Sequence, residues 1–536
     1  MLHLELGRAL AELSRETGRQ LALLVDRAGF VQYVVAGGPK HVVIPDLKRA
    51  RGAGVRLRGL RCVHTHLDGS RLSQEDLADL AILRLDAMAA LSAEDSGLPG
   101  RLQLAHLLPE NAEGRRWALL DYPHLSLADL DFLALVHSLE EEFARSWRAP
   151  AAEEGKDRAA LVAIDRGDRP DLESSIEELK TLATSSGLVV AEVVVQRRPK
   201  PHPRYWLGPG RLGDLLARCL QKGVDILLFE GELAPAQVKA ITDFTDLKVI
   251  DRTQLILDIF AQRAHSRAGQ LQVELAQLRY MLPRLTHKGT ALSRLAGGIG
   301  GRGPGEQKLE VDRRRARERI HRLERQLGEL RERRAQARAL RRRRDVPVLS
   351  IVGYTNAGKS TLLNALTESN VFVEERPFAT LDPTSRRLRL PRDQEVIVTD
   401  TVGFIRELPR DLLEAFRATL EEMEDADLLL HVVDASDPEC EAQLLAVESI
   451  LGEIGLGKVP VLRVFNKVDR TLPGVAANLS RRYRGVAVCS LDPRTLPPLV
   501  ERAAELLRRV RDGRPRAEVE AGNGGALRAR GSAGAV

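Results

Sequence analysis

VPVLSIVGYTNAGKSTLLNALT (346–367) places an apolar run, a glycine-bearing turn and a helix pattern in immediate succession. The run up to Gly353 reads as a buried strand, and the segment after Ser360 as the opening of a helix. Gly353 and Gly358-Lys359-Ser360 fit GxxxxGK(S/T), in the strand–loop–helix setting that gives this motif its meaning. Its glycines let backbone N–H groups turn toward a phosphate, and the helix N-terminus adds a favourable dipole. Asn356, Ala357 and Thr361 fall within the same turn. Lys359 is expected to reach the β- and γ-phosphates, and the Ser360 hydroxyl to ligate Mg²⁺.

Three further stretches follow in order. IVTDTVGF (397–404) is an apolar strand ending in Asp400, placed to hold magnesium through water, with the Gly403 N–H positioned to sense a γ-phosphate. VLRVFNKVD (461–469) is a second buried strand ending in Asn466, Lys467 and Asp469. The Asp469 carboxylate would accept from guanine N1–H and N2–H₂, a donor pair that adenine lacks. VAVCSLD (486–492) places Ser490 and Leu491 where a backbone amide would donate to guanine O6. GTP or GDP with Mg²⁺ is therefore the expected ligand. Between these pieces lies ERPFATLDPTSR (375–386), where Thr380 and Thr384 both offer hydroxyls; Thr380 is favoured as the switch residue that joins Ser360 on the metal because PFAT resembles the phenylalanine-containing switch of the translation-linked GTPases. Lys359, Thr380 and Gly403 form the expected catalytic set. The residue after DxxG is Phe404, where many small GTPases carry a water-orienting glutamine. A phenyl ring cannot do this, so slow intrinsic hydrolysis that a partner stimulates is expected.

The 536 residues exceed what one core usually serves. Apolar residues make up 43% and aromatics only 4%, which argues against an aromatic platform for single-stranded nucleic acid. No apolar run is long enough to span a membrane, the four cysteines are scattered, and a cytoplasmic protein is expected. Between Arg313 and Arg344 stand fifteen arginines against four glutamates, a local field that points to a polyanion.

The expected fold is α/β, with a P-loop GTPase domain (346–512) preceded by a small α/β domain (159–251) and a long helical hairpin (252–345). An extra N-terminal α/β domain (1–150) of unknown role and a disordered tail (513–536) complete the chain. Alternating strands and helices suggest parallel pairing in 159–251. Helices are expected with Leu6, Leu10 and Leu13 on one face, through LSQEDLADLAILRLDAMAALS, across 252–281 and across 313–344. The last carries Ala316, Ile320, Leu323, Leu327 and Leu330 at coiled-coil-like spacing. Six glycines in 297–305 mark an exposed loop at the hairpin tip.

Other signals read as structural. CVHTHLDGSRLSQED, with His64, His66, Ser73 and Asp76, resembles the metalloprotease arrangement HxHPx₆SxxD. Its spacer is one residue short and its proline is missing, so strand-end histidines followed by a helix cap are expected. His202, His265 and His287 lie near arginines and fit phosphate contact as well as a structural role, and Trp206 and Tyr280 are expected to sit between elements rather than on a nucleobase.

GYTNAGKST, PFATLDPT, TDTVGFIRELP and NKVD, with WLGPGRLGDL, LLFEGELAPAQVKAI, the 249–285 segment and LAGGIGGRGPGEQKLEVDRRR, closely resemble the HflX family of ribosome-associated GTPases over 160–512. The resemblance implies a bacterial factor, partly ribosome-associated and monomeric, that binds the large ribosomal subunit and its ribosomal RNA. It further implies splitting of stalled 70S ribosomes in the GTP-bound form and hydrolysis stimulated by the large subunit. A large-subunit assembly or quality-control scaffold without splitting activity is the alternative. The apolar residue after DTVG is a trait of that family. Pro209 and Arg211 in LGPGRLG, and Leu491 beside Ser490, depart from its usual pattern, and residues 1–150 extend beyond its compact core.

Overall fold

The structure is a computed structural model that describes residues 3–42, 44, 47, 57–148, 156–167, 171–245, 247–284, 304–343, 346–367, 378, 384–391, 394–401, 403–405, 423 and 426–512. The chain divides into two compact units. The first holds 1–336, 374–382 and 403–419, and the second 337–373, 383–402 and 420–536. The glycine loop 297–303, Thr380, His287 and the tail from 513 lie outside the described residues.

The first unit begins α1 (Leu4–Thr17), β1 (Leu21–Asp26), β2 (Val31–Ala36), β3 (Leu60–His66), α2 (Gln74–Ile82), β4 (Ala87–Ala93), β5 (Pro99–Leu107), β6 (Trp117–Tyr122) and α3 (Phe132–Arg148). The strands order β2-β1-β3-β4-β5-β6, and only β3 and β4 run parallel. Helix α1 buries Gly7, Leu10, Ala11 and Ser14, while Leu6 and Leu13 stay exposed, so the buried stripe is rotated from the expected one. The helix expected to run on through residue 92 ends at Ile82, and Ala87–Ala93 is a strand. Alanine and leucine favour helix in isolation. Here β4 sits between β3 and β5 and is buried from Ala87 to Leu91, and such packing overrides propensity.

Next come β7 (Arg158–Asp165), α4 (Leu172–Ser185), β8 (Val189–Arg197), α5 (Pro209–Gln221), β9 (Ile226–Phe229), α6 (Pro235–Phe244) and β10 (Lys248–Asp251). They build an all-parallel sheet ordered β10-β9-β7-β8, each crossover being a helix as parallel pairing requires.

The stretch expected as one helix from 252 to 281 is two, α7 (Arg252–Arg263) and α8 (Arg267–Met281). Ser266 starts the second: its Oγ accepts from Gly269 N at 3.0 Å, a capping bond that competes with helix continuation. Helix α9 (Pro304–Arg343) starts at Pro304 rather than Arg313, and proline suits a first turn because its missing N–H would have no partner there. Leu271 and Leu275 of α8 meet Ile320, Leu323 and Leu327 of α9. The flanking pairs Arg319–Glu274 and Arg279–Glu324 are both 2.7 Å long but 33–40% exposed. Exposed pairs contribute up to about 1 kcal/mol, whereas deleting a buried leucine costs roughly 2–5 kcal/mol. The apolar seam holds this hairpin together.

The second unit contains β11 (Val348–Gly353), α10 (Lys359–Thr367), β12 (Thr384–Leu390), β13 (Gln394–Asp400), β14 (Leu428–Asp434), α11 (Cys440–Glu453), β15 (Val461–Asn466), α12 (Val475–Tyr483), β16 (Val486–Ala487) and α13 (Pro497–Asp512). Its sheet orders β12-β13-β11-β14-β15-β16, parallel except for the edge strand β12. The carboxyl ends of β11, β13 and β15 carry the motif residues, the edge at which open α/β sheets bind ligands.

Candidate nucleotide site

The loop after β11 can be built only with its glycines. Gly353 has φ +150°, and a Cβ there would lie 2.2 Å from the Val432 carbonyl oxygen. Gly358 has φ +88°, and its Cβ would lie 2.3 Å from Asn466 Nδ2. Asn356 takes a left-handed φ of +61°, which asparagine tolerates better than most residues. Ala357 is buried within the turn, and Thr361 stands in the first turn of α10.

Lys359 is buried, and its Nζ donates to the Tyr354 carbonyl at 2.8 Å. Burial pulls its pKa down to about 8, against the opposing pull of Asp400. Ser360 Oγ donates to Asp400 Oδ2 at 2.7 Å. Asp400 is fully buried at the end of β13, and its Oδ1 accepts from Thr401 N at 3.0 Å. A hydroxyl and a buried carboxylate facing each other make the hard oxygen pair that suits Mg²⁺. Gly403 follows Asp400 by three residues, and Phe404 is 2% exposed.

Asn466 ties two loops together. Its Nδ2 donates to the Ala357 carbonyl at 2.9 Å, while its Oδ1 accepts from Ser490 N at 3.0 Å and Ser490 Oγ at 2.8 Å. Lys467 has φ +60° and its Nζ lies 2.7 Å from Asp434 Oδ2. Asp469 is exposed on the short turn that follows, and Leu491 is 72% exposed beside the buried Ser490. Asp434 was not among the expected site residues. Its signal was a strand-end aspartate in LLLHVVDASD, parallel to the strand that carries Asn466.

The structure therefore gathers Gly353, Asn356, Ala357, Gly358, Lys359, Ser360 and Asp400 at one sheet edge, with Asn466, Lys467 and Ser490 joined through Asn466. Thr384, the other switch candidate, opens β12 opposite Asp400. Phe378 of the PFAT stretch is buried, its ring edge-on to Phe260 of α7 with centroids 4.5 Å apart. Trp206 and Tyr280 are buried, Trp206 edge-on to Phe229 and Tyr280 under the Arg284 guanidinium. His202 accepts through Nδ1 from Arg204 N and Tyr205 N, a turn-stabilising role. Helix α9 buries Ala316, Ile320, Leu323 and Leu327, as the spacing predicts, and exposes Arg314, Arg315, Arg317, Arg322, Arg325 and Arg333.

A glycine loop entering a helix, an aspartate three residues before Gly403 and an NKVD strand end, all on one mostly parallel sheet, define a P-loop GTPase. Family models described as GTP-binding GTPase N-terminal, GTP-binding GTPase Middle Region and 50S ribosome-binding GTPase match residues 173–261, 263–341 and 348–467. The chain is 50% identical over 314 residues to GTPase HflX of Caldanaerobacter subterraneus, covering 59% of this chain and 73% of that protein. It is 47% identical over 320 residues to GTPase HflX of Lacrimispora saccharolytica, covering 60% and 76%. With GTPase HflX of Escherichia coli it shares 46% over 313 residues, covering 58% and 73%. The chain belongs to the HflX family of GTPases, and with that membership come GTP hydrolysis and association with the ribosome. No helix among the described residues is long and apolar enough to cross a membrane.

Proposed function

We propose that this protein engages the large ribosomal subunit in its GTP-bound form, splits stalled or idle 70S ribosomes, and hydrolyses GTP when the large subunit stimulates it. The observation that carries the reading is Phe404. It occupies the position after DxxG, is buried, and has no polar group to orient a water. The chain's own residues thus bind nucleotide without completing the hydrolytic site, and a partner must order it. The exposed arginines of α9 supply the sequence-independent attraction to phosphate that ribosomal RNA would satisfy.

In this reading the N–H groups of 354–361 and the Lys359 ammonium bind the β- and γ-phosphates, and Asp469 reads the guanine edge. Asn466 and Lys467 brace the loop beneath the base, with Ser490 and Leu491 alongside. Ser360 and Thr380 would hold Mg²⁺, with Asp400 behind it, and the ion would supply neutralisation of the phosphate charge. Lys359, Thr380 and the Gly403 N–H then answer to the presence of the γ-phosphate. The test is sedimentation of 70S ribosomes on sucrose gradients with the protein and a non-hydrolysable GTP analogue. Conversion to 50S and 30S peaks, absent with GDP, is expected. Binding without splitting would replace this reading by that of a scaffold.

A further inference from the structure

The N-terminal six-stranded sheet carries a second cluster of ligand-type side chains, unrelated to the nucleotide site. His64 and His66 are two apart on β3, so both project from the same face of the sheet. Asp76 arrives from the first turn of α2. His64 Nε2 lies 2.9 Å from His66 Nε2 and 3.4 Å from Asp76 Oδ1, and His66 Nε2 lies 3.9 Å from Asp76 Oδ2. One donor atom from each residue falls within 4.8 Å of the others. Around a tetrahedral zinc ion, bonds of about 2.0–2.1 Å place neighbouring ligands about 3.3 Å apart. The observed spacings bracket that value.

The surroundings orient the donors. His66 Nδ1 is 2.9 Å from both the Ser70 carbonyl oxygen and the Ser70 hydroxyl, and in the tautomer that donates from Nδ1 to the carbonyl the Nε2 lone pair points into the cluster. Metal-ligating histidines are held by this kind of bond from the other ring nitrogen. Asp76 Oδ2 accepts from Ser73 N at 2.7 Å and Ser73 Oγ at 2.8 Å, which fixes the carboxylate and leaves Oδ1 toward His64. The helix cap foreseen in the sequence is real, and the same aspartate serves both. The connecting loop is pinned at each end: Arg15 Nη2 donates to the Leu67 carbonyl at 2.7 Å, and Leu72 N donates to Gln103 Oε1 at 2.9 Å. The two imidazoles are nearly wholly buried, whereas the Asp76 side chain is 22% exposed and gives access from solvent.

We propose that His64, His66 and Asp76 form a binding site for one divalent first-row transition-metal ion, best matched by Zn²⁺, with a fourth position open to water or an exogenous anion. Two imidazoles and a single carboxylate favour such an ion over Mg²⁺ or Ca²⁺, which prefer all-oxygen shells. Three protein ligands with an open position distinguish the site from a closed structural zinc site.

The test uses the full-length protein, freed of metal and then saturated with Mg²⁺ and GDP so that the nucleotide site is filled. Zn²⁺ titration by calorimetry should give one equivalent per chain, and Co²⁺ should give the visible absorption of a tetrahedral site. His66→Ala should abolish the Co²⁺ spectrum and weaken Zn²⁺ by more than the roughly 10- to 100-fold that an outer-shell change costs. Asp76→Asn keeps an oxygen for the Ser73 cap and guards against misfolding; it too should lose the spectrum while circular dichroism stays unchanged. Absence of stoichiometric Zn²⁺ binding by the parent protein, or an unchanged equivalent in both variants, would overturn the assignment.

Discussion

Asn466 Nδ2 donates to the Ala357 carbonyl at 2.9 Å, a bond that joins the end of β15 to the glycine loop after β11. Through the other end of the same amide, Ser490 is bound as well, so one buried side chain links the glycine loop to the segment that carries Ser490. Asn466→Asp replaces the donor by an oxygen facing a carbonyl oxygen inside the protein. Loss of such a buried bond costs about 1–3 kcal/mol. Affinity for a fluorescent GDP analogue should fall on the order of 10- to 100-fold, and undiminished affinity would show that the two loops do not depend on this link.

Lys359→Ala removes the only ammonium that the glycine loop itself carries. GTP binding should drop below detection in a fluorescent-nucleotide titration while the circular dichroism spectrum is unchanged. The loss leaves the buried Asp400 without that nearby cation, but its carboxylate keeps the bonds from Ser360 Oγ and Thr401 N, and a folded, nucleotide-free protein is expected.

Asp469→Asn exchanges one carboxylate oxygen, the proposed guanine acceptor, for a donor. Competition binding should show weakened GTP and a gain for xanthosine triphosphate, whose base offers an oxygen where guanine has its amino group. Continued rejection of the xanthine nucleotide would remove Asp469 from base recognition.

His431 on β14 gives the second unit a pH dependence. Burial, with Arg463 and Lys359 adding like charge, pushes its pKa down from 6.5 to about 3. Its Nδ1 has no hydrogen-bond partner among the described residues. The unfolded chain therefore binds a proton that the folded chain refuses, and stability falls as pH drops below about 6.5, at up to about 1.4 kcal/mol per pH unit. In thermal melts from pH 7 to pH 4, His431→Leu should lose melting temperature less steeply than the parent. Parallel slopes would mean that His431 is not the group responsible.

Much of the nucleotide site was legible because its residues are fixed by local geometry. Gly353 and Gly358 stand where any Cβ would collide with the Val432 carbonyl or Asn466, so the motif survives as a pattern in the sequence. The α9 seam was legible for a similar reason, since leucines repeating by threes and fours have one face to bury. What escaped the sequence depends on tertiary context. Ala87–Ala93 has a helix-forming composition and becomes a strand only because two strands flank it. The break at Ala264–Ser266 is held by side-chain bonds, from Gly269 N to Ser266 Oγ and from Gln270 Nε2 to the Ala264 carbonyl. His64, His66 and Asp76 were visible as a spacing, but their convergence needs the loop 67–72 to fold back under bonds from Arg15 and Gln103, both distant in sequence.

In the proposed mechanism a ribosome-supplied contact completes a site in which Phe404 cannot orient water. GTP hydrolysis measured with and without purified 50S subunits across a salt series tests it most directly. Slow turnover alone, strong stimulation by 50S, and loss of that stimulation as salt weakens the proposed phosphate contacts of α9 are expected. Equal rates with and without 50S at every salt concentration would contradict it.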